Sequence, residues 1–326
     1  MAKFDFQKYF GEIAPLADAA RENEQRPWTM AVPRDPEHHD LVLYLGCNVL
    51  RTVNLAESVV EILRYLGVDF TAVGGPANCC GIIHENNGAG ETGDKLRGHS
   101  LGKLAAFTPS QVLTFCPSCQ LRMDQAGPQR EALGVPYRPL SEYLAENLGR
   151  MKFVHRIERR VALHAHTSTP QQDQDREVTR TLLEAIPGLE VTVLPPPREL
   201  GRMCTPAVAA ALGEARYREI VGGMFETARG QGLDAMVTAY HGCYRSFCDW
   251  EAGHGLEVIH YATLLCQALG LRRYRDTYKS LRQEGNPAAA FHALRPAAER
   301  RGVNMERLRK STETHFARAG QPAKGG

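Results

Sequence analysis

Five cysteines between residues 47 and 119 place the strongest constraint on this chain. After Cys47 come 31 residues, the adjacent pair Cys79 and Cys80, 35 further residues, and a CxxC run from Cys116 to Cys119. A structural zinc site takes four ligands, commonly as two CxxC-type pairs, so a fifth thiolate beside it would be unusual. Five soft thiolates, two of them adjacent in sequence, favour an iron–sulfur cluster over five unrelated buried cysteines.

The pattern C-x31-CC-x35-C-x2-C resembles the CCG motif found in the B subunit of heterodisulfide reductase and in its relatives. Gly81 follows the adjacent cysteines and supplies the glycine of that motif, and the flanking segments 44–47 and 115–119 resemble those of the family. In that family one complete motif holds a noncubane [4Fe–4S] cluster, with adjacent cysteines bridging irons. The resemblance therefore implies one such cluster, with a ligand set of Cys47, Cys79, Cys80, Cys116 and Cys119.

Length and composition fit a globular protein without a dominant charge. The 326 residues suffice for two domains with cores of their own. A net charge of +2 with 23% charged residues does not dictate a nucleic-acid or anionic-membrane partner. The N-terminus lacks the apolar region of a signal peptide, and no apolar run reaches the ~18 residues of a spanning helix. Nine cysteines in a chain without an export signal favour metal or redox chemistry and predict a cytoplasmic location.

The cysteines follow apolar runs of strand length. Residues 41–45, 69–73 and 111–115 each read as a buried strand, and each run ends just before motif cysteines. Between the runs, residues 54–66 show helical apolar spacing and stop at a glycine, and residues 90–107 predict a more polar helix. This order predicts a parallel α/β sheet with the cysteines at its carboxyl edge, where open α/β sheets bind ligands.

The same order of elements repeats about 120 residues later. Strand-like runs at 161–164, 190–194 and 236–239 flank a helix near 178–186. The predicted fold class is therefore α/β, with two pseudo-symmetric CCG-type halves related by a pseudo-twofold axis. The predicted division is an N-terminal helical extension (1–38), an intact first half (39–150), a degenerate second half (151–270) and a basic helical tail (271–326). A single amphipathic helix over residues 6–26 is expected in the extension. We expect the extension to cover the first half, and the alternative is that it contacts a partner.

The second half has lost most of the motif while keeping its spacing. Thr167, Met203 and Tyr240 stand where cysteines are expected, and only Cys204 and Cys243 remain. Threonine cannot replace a bridging thiolate, and methionine and tyrosine are poor substitutes. The second half is therefore not expected to hold a noncubane cluster.

Three interpretations of the degenerate motif stay open at this point. Two thiolates and two imidazoles make an acceptable tetrahedral zinc site. The vacated volume could instead be a substrate pocket, or the motif could have decayed to two buried thiols. The residues concerned are His164, His166, Cys204, His241 and Cys243.

Two further cysteines fit no ligand position of the repeat. Cys266 lies in an apolar run and is expected in the core, whereas Cys248 follows Cys243 by five residues and is a spare ligand candidate.

The resemblance implies electron transfer joined to disulfide or thiol chemistry. In heterodisulfide reductase a disulfide is thought to be held between the two noncubane clusters of the B subunit. With one intact motif, this chain is expected to bind one sulfur or to relay electrons, because symmetric cleavage needs two clusters. It also lacks a C-x2-C-x2-C-x3-C-P run, so electrons must pass to or from another polypeptide.

Among the relatives, the chain most resembles a B-type subunit of the heterodisulfide reductase-like complex of bacterial sulfur oxidation. That resemblance implies a ferredoxin-type C subunit, a flavin-binding A subunit and a second B subunit as partners, and a sulfur species carried on a thiol or a lipoyl-carrier protein as substrate. No nucleic-acid partner is expected, because the basic tail shows no aromatic interleaving and no nucleic-acid-binding motif. Two other function classes stay open. One is a non-catalytic electron-transfer or docking subunit of another oxidoreductase, and the other is a structural protein with zinc even in the first motif.

The last 56 residues form a basic segment. Residues 271–326 contain thirteen Lys and Arg against five Asp and Glu. Such a run is usually a solvated face, and the alternative is a docking surface for an acidic partner protein. The glycine-rich end, 322–326, is expected to be disordered.

Overall fold

The chain forms two parallel β-sheets of four strands each. The structure is a computed structural model and describes residues 4–127, 131 and 134–317. The first sheet has the strand order β2-β1-β3-β4, with β1 (Leu41–Gly46), β2 (Phe70–Gly74), β3 (Gln111–Thr114) and β4 (Tyr137–Pro139). The second has the order β6-β5-β7-β8, with β5 (Arg159–His164), β6 (Leu189–Leu194), β7 (Ala235–Thr238) and β8 (Glu257–His260). The identical topology confirms the predicted α/β class with two CCG-type halves.

Helices connect and flank the strands. Before β5 lie α1 (Phe6–Gly11), α2 (Ile13–Ala20), α3 (Val53–Tyr65), α4 (Ile82–Asn86), α5 (Gly90–Ala105), α6 (Pro117–Asp124) and α7 (Leu140–Glu146). After β5 lie α8 (Pro170–Glu184), α9 (Pro206–Leu212), α10 (Glu214–Gly230), α11 (His241–Phe247), α12 (Glu251–His254), α13 (Tyr261–Ala268), α14 (Thr277–Glu284), α15 (Pro287–Arg300) and α16 (Met305–Phe316). Within the described part of the chain, none of the helices combines the length and apolar character required to cross a membrane.

Two compact units divide the chain. The first unit combines residues 1–140 with residues 275–326, and the second unit is residues 141–274. In each unit the strand that carries the first motif position, β1 or β5, pairs with two neighbours and is therefore central. Every residue of β1 is buried, as expected for a parallel strand covered on both faces.

The predicted single helix over residues 6–26 is wrong, because α1 and α2 are separate and α2 ends at Ala20. The cause is Pro15 in the first turn of α2. In a continuous helix its ring would clash with the carbonyl of Gly11 and leave that carbonyl without a donor. A proline is tolerated only near the start of a helix, so a new helix begins at Ile13.

The sequence prediction also missed β4 and β8. Both are edge strands, of three and four residues, and their sequences YRP and EVIH show no extended apolar run. Parallel pairing with β3 and β7 supplies the hydrogen bonds that local propensity does not.

The two terminal segments pack together in the first unit. The Nη1 atom of Arg301 donates to the carbonyl oxygens of Asp18 (2.9 Å) and Arg21 (2.8 Å). The hydroxyl of Ser311 donates to the carbonyl of Glu12 at 3.0 Å. Helices of the basic segment are thus part of the first unit's fold, whereas the expected disordered end at 322–326 lies outside the described residues. The proposed boundaries at 39, 151 and 271 stay predictions.

Candidate metal centres

The five cysteines of the first unit converge at the carboxyl edge of its sheet. Cys47 follows β1 directly, and Cys79 and Cys80 follow a short 3-10 helix after β2. Cys116 is the N-cap of α6, and Cys119 lies in the first turn of that helix. All five cysteines are buried, and no disulfide joins them. We call this group the five-cysteine site.

Two glycines leave the room that the five-cysteine site needs. Gly46 has φ of +70°, and a Cβ atom there would lie 2.7 Å from the Sγ atom of Cys119. Gly81 has φ of +86°, and a Cβ atom there would lie 2.1 Å from the carbonyl oxygen of Gly93. The glycine after the paired cysteines is therefore required both by backbone conformation and by the close approach of α5.

The thiols of this site are crowded. The Sγ atoms of Cys47 and Cys79 are 3.8 Å apart, and the backbone N–H of Gly81 donates to Cys79 Sγ at 3.4 Å. The hydrogen bond from Cys47, followed by that from Cys80, lowers the pKa of Cys79 to about 3. The hydrogen bond to Cys79 and burial raise the pKa of Cys47, and the hydrogen bonds with Cys116 and Cys80 raise the pKa of Cys119. The five thiols cannot all ionise together unless a cationic centre compensates them, so the donor set fits a metal cluster.

The N-terminal extension lies against the segments that follow the cysteines. The ring of His84, on α4, stacks on Phe6 with centroids 4.3 Å apart, and on Phe10 at 5.3 Å. The amide of Asn48, next to Cys47, donates to the hydroxyl of Tyr9 at 2.6 Å. Aromatic side chains of the extension therefore cover residues adjacent to two of the three cysteine-bearing loops.

A buried arginine ties the helices around the site together. Arg122 on α6 pairs with Glu85 at 2.6 Å and with Asp94 at 2.8 Å, which lie on α4 and α5. The sequence analysis missed both Arg122 and His84, because single charged or aromatic residues on short helices carry no spacing signal.

The second unit brings two histidines and two cysteines into one cluster. His164 ends β5 and His166 follows it, Cys204 lies in the loop between β6 and α9, and Cys243 lies in the first turn of α11. One ligand atom from each lies within 4.8 Å of all the others. We call this group the His/Cys quartet, and among the described residues it is the one group of histidine, cysteine and acidic side chains that meets this spacing.

The contacts within the quartet are short and buried. The Nε2 atom of His166 is 3.2 Å from Cys243 Sγ and 3.5 Å from Cys204 Sγ, and the Nε2 atom of His164 is 3.3 Å from Cys204 Sγ. Burial lowers the pKa of His164 and raises that of Cys204. Burial opposes the ionisation of Cys243 as well, but the hydrogen bond with Cys204 and the charge of His166 lower the pKa of Cys243, and the charge of Cys243 outweighs burial and raises the pKa of His166. The quartet therefore favours ionisation of Cys243, whereas ionisation of Cys204 calls for a cation.

Neighbouring groups hold the quartet in place. The Nδ1 atom of His166 is 2.7 Å from the carbonyl oxygen of Gly201, which directs Nε2 toward the two sulfur atoms. Tyr240 stacks parallel to the imidazole of His166, with centroids 6.2 Å apart. The Tyr240 hydroxyl donates to Asp175 at 2.7 Å and so contacts a carboxylate away from the quartet.

His241 does not join the quartet, although it was a predicted ligand candidate. It begins α11, two residues before Cys243, and residues two apart on a helix do not face each other. Its charge instead contributes, after burial, to lowering the pKa of His260 to about 3. The thiol of Cys248 donates to the carbonyl of Tyr244 at 3.2 Å, and Cys266 is buried on α13. The sequence analysis also missed Asp175 and His260.

Comparison with known proteins supports the predicted resemblance. Residues 41–124 match the family of the cysteine-rich CCG domain. The D subunit of dihydromethanophenazine:CoB–CoM heterodisulfide reductase from Methanosarcina acetivorans is 22% identical over 273 residues, which cover 77% of this chain and 64% of the relative. The corresponding protein from Methanosarcina mazei is 22% identical over 251 residues, covering 71% and 59%. The chain thus spans less than two thirds of the length of these relatives.

A solved structure shows only a distant likeness. The crystal structure of an aspartate racemase homologue from Pyrococcus horikoshii aligns with 71% of this chain and 96% of its own, at 17% identity and a TM-score of 0.32.

Proposed function

We propose that this chain is the iron–sulfur subunit of a heterodisulfide reductase-like complex. One noncubane [4Fe–4S] cluster would be held by Cys47, Cys79, Cys80, Cys116 and Cys119, and the subunit would act in electron transfer linked to disulfide or thiol chemistry. The observation that carries the proposal is the convergence of five buried thiols on one sheet edge at CCG spacing. The similarity to heterodisulfide reductase subunits supports the same conclusion.

The side chains around the site have definable tasks. When bound, the cluster would exchange single electrons and present iron to a sulfur atom. The five thiolates hold it, and the N–H of Gly81, which donates to Cys79 Sγ, stabilises negative charge on that sulfur. Phe6 and Phe10 stack on His84, which lies on the helix that follows the cysteine pair.

The intact motif is present once, and this asymmetry shapes the proposed mechanism. A disulfide cannot be divided between two noncubane clusters of one chain, because Thr167, Met203 and Tyr240 replace three thiolates of the second motif. The chain would therefore bind one sulfur atom, or relay electrons to a substrate on another subunit. Its partners would be a ferredoxin-type C subunit, a flavin-binding A subunit and a second B subunit.

The physiological setting we propose is sulfur oxidation in the cytoplasm. A sulfur species carried on a thiol or on a lipoyl-carrier protein would be the substrate. No disulfide joins any of the nine cysteines, all of which lie in the described part of the chain, and this is the pattern expected in a reducing compartment.

The alternative is a non-catalytic electron-transfer or docking subunit of another oxidoreductase, and the single complete motif favours it as well. Single-turnover assays of the isolated protein decide between the two. Oxidation of the cluster by a disulfide, or its reduction by a thiol, supports the catalytic role, whereas electron exchange with carriers alone supports the alternative.

The cluster itself is tested by metal analysis of the full chain purified without oxygen. We expect about four irons and four acid-labile sulfides per chain, with an EPR signal in the oxidised form. Cys116→Ser should lose this iron, whereas Cys266→Ser should keep it, because Cys266 lies on α13 outside both centres. Zinc in place of iron, or a Cys116→Ser variant that keeps its iron and spectrum, would contradict the proposal.

A further inference from the structure

We propose that the second unit holds one divalent metal ion, best matched by zinc, in a closed tetrahedral site. The four ligand atoms are the Nε2 atoms of His164 and His166 and the Sγ atoms of Cys204 and Cys243. This inference stands on the geometry of the second unit alone and does not depend on the function proposed for the first.

The distances are those of a tetrahedron around zinc. Zn–S bonds of about 2.3 Å and Zn–N bonds of about 2.0–2.1 Å place a nitrogen and a sulfur ligand about 3.6 Å apart at the tetrahedral angle. The three nitrogen–sulfur separations are 3.2, 3.3 and 3.5 Å, each within about 0.4 Å of that value. All four ligand atoms lie within 4.8 Å of one another, as a single central ion requires.

The surroundings match those of a metal-binding histidine. The Nδ1 atom of His166 faces the carbonyl oxygen of Gly201 at 2.7 Å. This contact places the proton on Nδ1 and leaves the lone pair of Nε2 directed at the sulfur atoms. A histidine that binds zinc through one ring nitrogen usually donates a hydrogen bond from the other ring nitrogen to a carbonyl or a carboxylate.

Simple decay of an ancestral motif does not explain these residues. His164 and His166 are completely buried, and burying an imidazole without strong partners costs free energy that an apolar side chain would avoid. The repeat offset of 120 places them opposite Tyr44 and Gly46, which are not cysteines of the five-cysteine site. The second half therefore has histidines where the first half has no ligand, and it lacks three of the five cysteines.

The same comparison argues against a second cluster. In the first unit even a Cβ atom at position 46 would come within 2.7 Å of Cys119 Sγ. In the second unit the matching residue, His166, fills that space with an imidazole that reaches Cys243, the counterpart of Cys119. The quartet supplies four protein ligands and is buried, so the site leaves no open position for substrate and would be structural.

Charge balance also favours one divalent ion. Two thiolates neutralise a divalent cation and the imidazoles bind as neutral ligands, so the loaded centre carries no net charge into the protein interior. Binding displaces two protons from the quartet to solvent, and no electron is transferred.

The test measures zinc and iron together in the full chain purified without oxygen. We expect about one zinc per chain in the wild type, in the second unit. Cys204→Ser and His166→Ala should lose most of this zinc while retaining the iron of the five-cysteine site. The matched control Cys248→Ser should keep its zinc, because that buried thiol donates to the Tyr244 carbonyl and is not one of the four ligands of the quartet.

Separate outcomes identify which inference fails. Cys116→Ser should lose iron and keep zinc, so that failure of the first site leaves the second measurable. If a quartet variant does not fold, Co²⁺ exchanged into the wild type should give sulfur-to-cobalt charge-transfer absorption, because two of the four ligands are thiolates. A wild type that binds neither zinc nor Co²⁺, or one whose second unit carries additional iron and sulfide, would overturn the zinc proposal.

Discussion

The two halves of this protein share a topology and differ in the chemistry at the same sheet edge. Both sheets are parallel and place their first motif strand at the same position in the strand order. At the end of that strand the first half has Tyr44 and Gly46, and the second has His164 and His166. The first half therefore leaves space beside five thiols, whereas the second fills that space with imidazole.

The two halves differ in the neighbours of the motif positions as well as in the cysteines themselves. Tyr240 occupies the position of Cys116, and its hydroxyl donates to the buried carboxylate of Asp175 at 2.7 Å. The offset of 120 places Asp175 opposite Leu55 of the first half, which needs no acceptor there because a cysteine stands in place of the tyrosine.

The largest expected effect comes from adding a side chain where the first half has none. Gly46→Ala should lower the iron content from about four to less than about one per chain, because its Cβ atom would collide with a ligand sulfur. The positive φ of 70° adds a backbone cost of about 1–2 kcal/mol. Iron analysis and thermal unfolding of the variant measure the two effects separately.

Gly67→Ala is the matched control for this experiment. Gly67 also has positive φ, of 61°, but a Cβ atom there meets nothing within 4 Å. Gly67→Ala should therefore lose stability through the strained backbone conformation and keep its iron. Loss of iron from both variants to the same extent would mean that the sulfur contact does not matter.

The next largest effect is the loss of stability when a buried arginine is removed, compared with the loss when an exposed arginine is removed. Arg122→Ala should destabilise the first unit by about 1–2 kcal/mol, because it removes ion pairs from a guanidinium that links three helices around the five-cysteine site. This figure allows for partners that are themselves 42% and 53% exposed. Denaturant unfolding measures the difference.

Arg180→Ala provides the comparison in the second half. Arg180 is exposed and pairs with Glu177 at 3.0 Å on the surface of α8, so the loss should stay below about 0.5 kcal/mol. Equal losses for the two variants would show that burial of Arg122 adds nothing to its ion pairs.

The sequence allowed prediction of those parts that follow from short-range patterns. Apolar runs placed β1, β2 and β3 to within about one residue, and helical spacing followed by Gly67 placed α3. The edge strands β4 and β8 were missed because their pairing depends on neighbours distant in the chain.

The residues of the candidate centre in the second unit could be predicted only where the repeat offset of about 120 residues relates them to the first unit. The offset identified His164 and His166 as neighbours of Cys204 and Cys243, and the quartet brings these four together. It could not reject His241, because that depends on which face of α11 the residue occupies. The repeat offset also could not identify Asp175. Its role becomes clear only in the structure, where it accepts a hydrogen bond from the hydroxyl of Tyr240.

The smallest expected effect is the pH dependence of stability that arises from the buried carboxyl group of Asp175. Burial raises the pKa of Asp175, although Tyr240 and Gln171 donate hydrogen bonds to the carboxylate. A raised carboxyl pKa means that its contribution to stability is fully present below about 3.9, the ordinary value of an aspartate, and is lost as pH rises through the folded-state pKa. Asp175→Asn keeps an acceptor for Tyr240 and cannot ionise, so its stability relative to wild type should improve with rising pH, by less than about 1 kcal/mol.

Thermal unfolding of wild type and Asp175→Asn at matched pH values measures this difference, and any metal released by acid affects both proteins alike. Repeating the pair in a Tyr240→Phe background sharpens the result. That change removes a hydrogen bond that opposes the rise in the pKa of Asp175, so the pH-dependent gap between aspartate and asparagine should widen. A gap that is independent of pH in both backgrounds would show that the fold does not raise the pKa of Asp175.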